Sequence, residues 1–234
     1  VVDAIKEGSD NVPEKVQKLY GIIPRAVFDI FTWINLEMSK DHQTEFEIKV
    51  FYFEIYNESL NNLLTMPPQK KMKMREMKNG SIVVLNCEPN YATSPEDIFE
   101  LLKIGQMNRA VAGTNQNARS SRSHTIFVLD IEQKNSDGST KSSRLNLVDL
   151  AGSERIDKTG ATGQTLKEAQ KINLSLTTLG MCIKSLTEGQ KHVPFRDSKL
   201  TMFLKQSLGG NSKTLLICTA SALARHYEES YQTC

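Results

Sequence analysis

The chain has 234 residues, of which 39% are hydrophobic and 24% charged, and its formal net charge is +2. This length suits one sizeable domain with its own core, and the composition is that of an ordinary globular protein. A charge so near neutrality does not by itself decide for or against nucleic-acid binding, and no apolar run approaches the ~18 residues of a membrane span. We predict neither a nucleic acid nor a membrane as partner.

Four widely spaced cysteines include no CxxC pair, which argues against a zinc ribbon and against a disulfide scaffold. They are typical of reduced thiols in a cytosolic protein. The first residues, Val1–Glu7, do not resemble a signal peptide, and the chain does not begin with methionine. We therefore expect a piece of a longer protein.

Four elements are predicted in the first half of the chain. Pro24 opens a helix with apolar residues at helical spacing, and residues 45–56 (EFEIKVFYFEIY) form a long buried strand. Residues 71–88 form a hairpin turning at Asn79-Gly80, and Ser94 caps a helix that runs to about Asn108.

Three core strands and two helices are predicted in the second half. The strands are residues 125–131, 144–150 and 215–221, and the second helix runs over about residues 198–207. The first helix has an apolar stripe that includes Leu176 and Leu179, and a separate polar face that consists of Lys171, Ser175, Thr178 and Ser185. Strands that alternate with helices indicate one α/β domain over residues 1–234, with a central mixed sheet flanked by helices.

Two short motifs flank these strands. Asp149, in DLAGSE, ends a strand at the usual ligand edge of an α/β sheet, where its carboxylate can hold water on Mg²⁺ while the backbone N–H of Gly152 approaches a phosphate. Ser120 and Ser121 can reach a phosphate and a metal, and Arg122 is a permanent cation. Alone, the aspartate motif could equally be an ordinary strand-to-loop turn, and the serine–arginine motif would be better explained as a polar turn before a strand.

Several segments in series resemble the kinesin motor domain. NARSSRSH is similar to kinesin switch I, LVDLAGSE to switch II, and HVPFRDSKLT to the loop and helix that kinesins present to tubulin. GIIPRAVFDIF, FYFEIYNESLNNLL and SLGGNSKTLLICTAS continue the likeness, which runs from about residue 21 to about residue 229. The resemblance implies a P-loop NTPase-like fold and a motor that couples ATP binding and hydrolysis to movement along microtubules.

The resemblance also implies roles, cofactors and partners. ATP and Mg²⁺ are the expected cofactors, and microtubules the partner, in the cytoplasm on the cytoskeleton, with dimerisation through stalk regions outside this chain. Ser120 and Ser121 would contact the γ-phosphate and Mg²⁺, with Asn117 beside them; Asp149 would hold the metal through water; Gly152 would sense the γ-phosphate; and Arg122 and Glu154 would form a salt bridge. The expected tubulin-binding residues are Lys158, Lys171, Lys191, His192, Arg196 and Lys199.

The chain departs from the family in two ways. None of its 13 glycines is followed by lysine, so it lacks the phosphate-binding loop G-x-x-x-x-G-K-[S/T], and we expect this chain alone to be inactive as an ATPase. The alternative function is a microtubule-binding or regulatory module that works without nucleotide. Leu174 and Met202 stand where the family usually has lysine and arginine, which predicts weaker and less salt-sensitive microtubule binding.

Ser123, His124 and Asp149 are the residue types of a hydrolase triad, but no nucleophile elbow surrounds them, which disfavours that interpretation. The four histidines show no metal-ligand spacing, and structural or surface roles are expected for them.

Overall fold

The computed structural model describes residues 20–65, 72–78, 80–111, 122–152, 164–224 and 227–233. In chain order the elements are α1 Ile22–Lys40, β1 Glu45–Tyr56, β2 Ser59–Asn62, β3 Lys73–Glu76, β4 Ile82–Leu85, β5 Asn90–Ala92, α2 Pro95–Val111, β6 Ser123–Lys134, β7 Thr140–Asp149, α3 Gln164–Thr187, a 3-10 turn Phe195–Asp197, α4 Lys199–Gly209 and α5 Tyr227–Thr233. None of the helices among these residues is both long and apolar enough to cross a membrane.

The centre of the fold is a sheet in the order β2-β1-β6-β7, with β5 also paired to β1. β1 and β6 are each 12 residues long and pair antiparallel along their whole length, from Glu45 opposite Lys134 to Tyr56 opposite Ser123. β3 and β4 form a separate hairpin, and every pairing between described strands is antiparallel. The predicted strand at residues 45–56 and the predicted hairpin are confirmed.

Both faces of this sheet are buried, because alternate residues of a strand point to opposite sides. On one side, Val50 and Leu129 pack against α1 and α2. On the other, Phe53 and Ile126 pack against α3 and α4, where the ring of Phe53 meets that of Phe203 edge-on at 5.3 Å. The predicted α/β layering, a central sheet flanked by helices, is therefore confirmed.

At two predicted helix starts, side chains cap the first turn of the helix. The Asp97 carboxylate accepts hydrogen bonds from the N–H groups of Thr93 (2.7 Å) and Ser94 (3.0 Å), while the Ser94 hydroxyl accepts one from the Asp97 N–H (3.2 Å). The Ser198 hydroxyl accepts from the Thr201 N–H at 3.1 Å and caps α4. Such caps satisfy N–H groups that the first turn of a helix leaves without an intrahelical partner.

The strand predicted at residues 215–221 is wrong. This segment has no regular secondary structure, and Leu215, Leu216 and Ile217 are 83%, 56% and 59% exposed. An apolar, β-prone run becomes a strand only when a neighbouring strand takes its backbone hydrogen bonds, and none of the described strands pairs with it.

The predicted polar face of α3 is wrong for its three hydroxyl residues, which are buried, whereas Lys171 is exposed as predicted. Ser175, Thr178 and Ser185 are 1%, 2% and 7% exposed and lie on the helix face that packs on the sheet, together with Leu179 and Cys182. Small hydroxyl side chains can be buried when they find hydrogen-bond partners. Leu174 and Met181 are instead 46% and 50% exposed.

Candidate functional site

The start of β6 and the end of β7 form one edge of the sheet. In the antiparallel register Thr125 lies opposite Asp149, so Arg122 and Ser123 at the start of β6 are close to the segment that follows Asp149. The described parts of the two motifs singled out in the sequence, residues 122–124 and 149–152, therefore meet at this edge. Arg122 and Gly152 are both half-buried there.

The carboxylate of Asp149 is open to solvent at this edge, with 72% of its side chain exposed. The guanidinium of Arg109, near the end of α2, lies 3.5 Å from its carboxylate. Arg109 also donates to the backbone carbonyl and the hydroxyl of Ser123, both at 3.3 Å, so one cation bridges the ends of both strands. The Asp149 carboxylate is open to solvent and lies as far as 3.5 Å from the Arg109 guanidinium, so it can still bind a hydrated Mg²⁺.

Arg109 is a site residue that the sequence interpretation missed. It lies within the kinesin-like stretch, but a single basic residue in the last turn of a helix is ordinarily explained by the helix dipole. Forty residues separate it from Asp149, and only the fold brings the two together. Its position eight residues before the NARSSRSH motif, within the stretch that resembles kinesin, is the one signal that could have indicated a role.

His124 joins three elements at the same edge. It is 3% exposed; its Nδ1 accepts the N–H of Ala151 at 3.0 Å, and its Nε2 lies 2.7 Å from the hydroxyl of Ser175 on α3. Burial lowers the pKa of His124 from 6.5 to about 4, and the nearby Asp149 opposes that shift only partly. The imidazole is therefore neutral at pH 7, and because Nδ1 accepts, Nε2 carries the proton and donates to Ser175.

This arrangement rules out a hydrolase triad. Both nitrogens of His124 are engaged by Ala151 and Ser175, not by Ser123 or Asp149. Ser123 is fully buried, and its hydroxyl accepts from Arg109. The structure thus agrees with the sequence interpretation that disfavoured acyl-transfer chemistry.

The expected tubulin-binding residues in the described part of the chain lie on α3, α4 and the connection between them. Lys171, Lys191, His192 and Arg196 are exposed, whereas Lys199 is half-buried and its backbone N–H donates to the Glu58 carboxylate at 2.8 Å. Five other predicted site residues lie outside the described residues: Asn117, Ser120, Ser121, Glu154 and Lys158.

One acidic residue forms ion pairs with two cations of this surface. Glu76, at the end of β3, pairs with Arg196 at 2.8 Å and with Lys205 at 2.5 Å, and these two hydrogen-bonded cations hold the pKa of its carboxyl below the usual value. The sequence interpretation placed no weight on Glu76 or Lys205. A second acidic residue, Glu54 of β1, is 1% exposed and accepts from the Asn61 amide at 3.1 Å.

Comparison with known proteins gives consistent matches. Residues 9–234 match the family model described as the kinesin motor domain. The chain is 51% identical over 221 residues to kinesin-related protein 5 of Dictyostelium discoideum, covering 94% of this chain and 22% of that protein. It is 43% identical over 228 residues to the kinesin-1 heavy chain of Homo sapiens, covering 97% and 23%. The chain therefore spans less than a quarter of either relative.

Solved structures agree with these matches. A structure described as that of a fast kinesin superimposes with a TM-score of 0.82 at 48% identity, covering 91% of this chain and 60% of that one. A KIF14 dimer in its two-heads-bound state, with AMP-PNP and a microtubule, superimposes with a TM-score of 0.80 at 38% identity, covering 91% and 62%.

Proposed function

Because this chain belongs to the kinesin motor-domain family, we propose that it senses the phosphates of ATP at the edge formed by β6 and β7 and contacts tubulin through α3 and α4. In this proposal it is part of a motor that couples ATP binding and hydrolysis to movement along microtubules in the cytoplasm. The KIF14 structure is a dimer, and a dimer is also the assembly we propose for the protein that carries this sequence.

One observation carries the proposal: Arg122 and Ser123 at the start of β6 lie beside Asp149 and Gly152 at the end of β7. Phosphoryl transfer depends mainly on positioning and charge stabilisation, and this edge offers a carboxylate, two arginines and backbone N–H groups close together. The Asp149 carboxylate would hold Mg²⁺ through water, with Ser121 as the second ligand, and the N–H of Gly152 would sense the γ-phosphate. Ser120 and Asn117 would bind the nucleotide, and Arg122 would pair with Glu154.

The tubulin face of the proposal consists of the exposed cations on α3, α4 and the connection between them. Microtubules present an acidic surface, so cations that remain exposed there raise the association rate and the specificity of binding. Lys171 and Lys191 are exposed in this way, with the exposed His192 next to Lys191 in the chain, and the Glu76 ion pairs hold Arg196 and Lys205 at the same surface. Lys158 would extend this face.

A second candidate function is microtubule binding without ATP turnover. The observation that favours it is that no G-x-x-x-x-G-K-[S/T] loop occurs among the 234 residues. Such a loop supplies the N–H groups and the lysine that bind the β- and γ-phosphates. Hydrolysis by the native protein would therefore need a phosphate-binding loop from outside this sequence.

The test is the microtubule-stimulated ATPase rate of the native protein that carries this sequence. We expect Asp149→Asn to lower the stimulated rate by about 100-fold, the scale of removing one preorganised electrostatic group, and to leave nucleotide-free microtubule binding unchanged. Asp137→Asn is the matched control, because Asp137 lies in the turn between β6 and β7, at the opposite end of the strands, where its carboxylate accepts the Ser139 N–H.

The outcomes separate the two candidate functions. Loss of activity in Asp149→Asn but not in Asp137→Asn supports the ATP-driven motor. Microtubule binding by the native protein with no stimulated phosphate release supports the nucleotide-independent module. Equal effects of the two substitutions would contradict the assignment of the β6–β7 edge.

A further inference from the structure

His124 connects the proposed phosphate edge to the proposed tubulin face by a route that does not follow the chain. Its Nδ1 accepts the N–H of Ala151, which lies directly between the strand end and Gly152, and its Nε2–H donates to Ser175 in the first half of α3. Lys171, on the proposed tubulin face, lies one helical turn before Ser175. Along the chain, the same two regions are joined only through residues 153–163.

The contact can transmit force because it is buried and rigid. His124 is 3% exposed and Ser175 1%, so water does not readily replace either hydrogen bond if it is lost. The two bonds are made by nitrogens of one planar ring, and the backbone of His124 is fixed in the β1–β6 ladder opposite Ile55. A displacement of Ala151 must therefore either break the bond to Nδ1 or turn the ring and shift Ser175 with it.

We propose that His124 is a positioning residue that couples the Asp149–Gly152 strand end to α3, so that a change at the phosphate edge alters the orientation of the tubulin face. The inference rests on the proposed motor function, since it assigns a coupling role within it. A two-position element that both sites bias is what energetic coupling between distant sites requires. The imidazole makes one hydrogen bond toward each site, with the Ala151 N–H and with the Ser175 hydroxyl, so both sites can bias its orientation.

Ser175→Ala tests the coupling, with Ser185→Ala as the matched control. Both serines lie on the buried face of α3, and the same single oxygen atom is removed, but in the structure it is Ser175 that meets His124. The measurement is the ATPase rate of the native protein as a function of microtubule concentration. We expect Ser175→Ala to lower the maximal stimulated rate about fivefold, the factor that corresponds to ~1 kcal/mol for one hydrogen bond.

Comparing the maximal stimulated rate with the basal rate and with the half-saturating microtubule concentration distinguishes loss of coupling from damage to the binding surface. Ser175→Ala should leave the basal rate and the half-saturating microtubule concentration within about twofold of wild type, and Ser185→Ala should change none of the three quantities. Ser175→Cys, which retains the side-chain volume and a weak acceptor, should recover part of the stimulated rate. Thermal melting of all three variants checks that they are folded.

Each outcome of this experiment either supports or overturns the coupling role of His124. A selective fall in the stimulated rate for Ser175→Ala, partly rescued by cysteine, supports coupling through His124. If wild type is stimulated but Ser175→Ala and Ser185→Ala behave alike, the coupling role is overturned and the motor function stands. If wild type itself shows no stimulation by microtubules, the proposed function fails and the coupling role fails with it.

Discussion

Acidification from pH 7 to pH 5 should destabilise the folded protein through His124. Burial holds the pKa of this imidazole at about 4 in the folded state, against 6.5 when it is exposed in the unfolded chain. Between these values the unfolded state binds a proton that the folded state does not, so the free energy of unfolding falls as the pH falls. The two pKa values give a loss of about 2 kcal/mol by pH 5, approaching roughly 3 kcal/mol below pH 4.

The assay is urea unfolding at pH 7, 6 and 5, followed by the fluorescence of Trp33, the one tryptophan in the sequence. His124→Asn can still accept the Ala151 N–H but does not titrate, so it should be less stable than wild type at pH 7 and lose about 2 kcal/mol less on going to pH 5. His192→Asn is the control, because His192 is exposed in the folded protein.

Equal losses of stability in wild type and His124→Asn between pH 7 and pH 5 would refute this reasoning. They would mean that the imidazole is protonated as readily in the folded state as in the unfolded one. The bond from the Ala151 N–H to Nδ1 could then not be present, because a protonated imidazole has no acceptor nitrogen. The assignment of His124 as the connection between Ala151 and Ser175 would fall with it.

Two further predictions concern the charge of the tubulin face. Glu76→Gln removes the anion that pairs with Arg196 and Lys205, so the half-saturating microtubule concentration should fall about twofold to threefold at low salt, and the difference should vanish at high salt. The stability of the fold should change little, because ion pairs with a largely exposed partner such as Arg196 contribute little to it. Leu174→Lys with Met202→Arg adds two cations to α3 and α4 and should tighten binding several-fold while making it more sensitive to salt.

Matched variants on other surfaces separate local charge from total charge. Glu37→Gln neutralises a carboxylate that pairs with Lys40 on α1, which packs on the opposite side of the sheet from α3 and α4, and should not change binding. Met107→Arg adds a cation on α2, which packs on the opposite side of the sheet and where Met107 is 59% exposed. If this variant tightened microtubule binding as much as Leu174→Lys, the face would have been assigned wrongly.

The parts of the fold that could be predicted depend on local signals. The run at residues 45–56 is rich in β-branched and aromatic residues, which predicts a long buried strand, and β1 has those bounds. Ser94 and Ser198 are good N-caps, and both cap a helix in the structure. The family resemblance carried by the three motifs is confirmed by the match over residues 9–234.

The parts that could not be predicted depend on partners distant in the sequence. Residues 215–221 have strand composition but no strand pairs with them, and composition does not report whether a partner is present. From the sequence alone, the serines of α3 are expected on an exposed polar face. Ser175 is instead buried, and its hydroxyl accepts a hydrogen bond from the imidazole of His124, 51 residues away. The contact of Arg109 with Asp149 could likewise not be predicted, because 40 residues separate them and only the fold brings them together.

The position of Asp149 is held by side chains as much as by the sheet. β7 pairs only with β6 among the described strands, and the end of a strand with one neighbour is where a ladder opens most easily. Two contacts oppose that opening: Arg109 spans Ser123 and Asp149, and His124 binds Ala151 just beyond the strand. Because both contacts start from other elements, α2 and β6, either one can hold the carboxylate near its place when the other is lost. We therefore expect a substitution at His124 to change how the edge communicates with α3 more than where Asp149 lies.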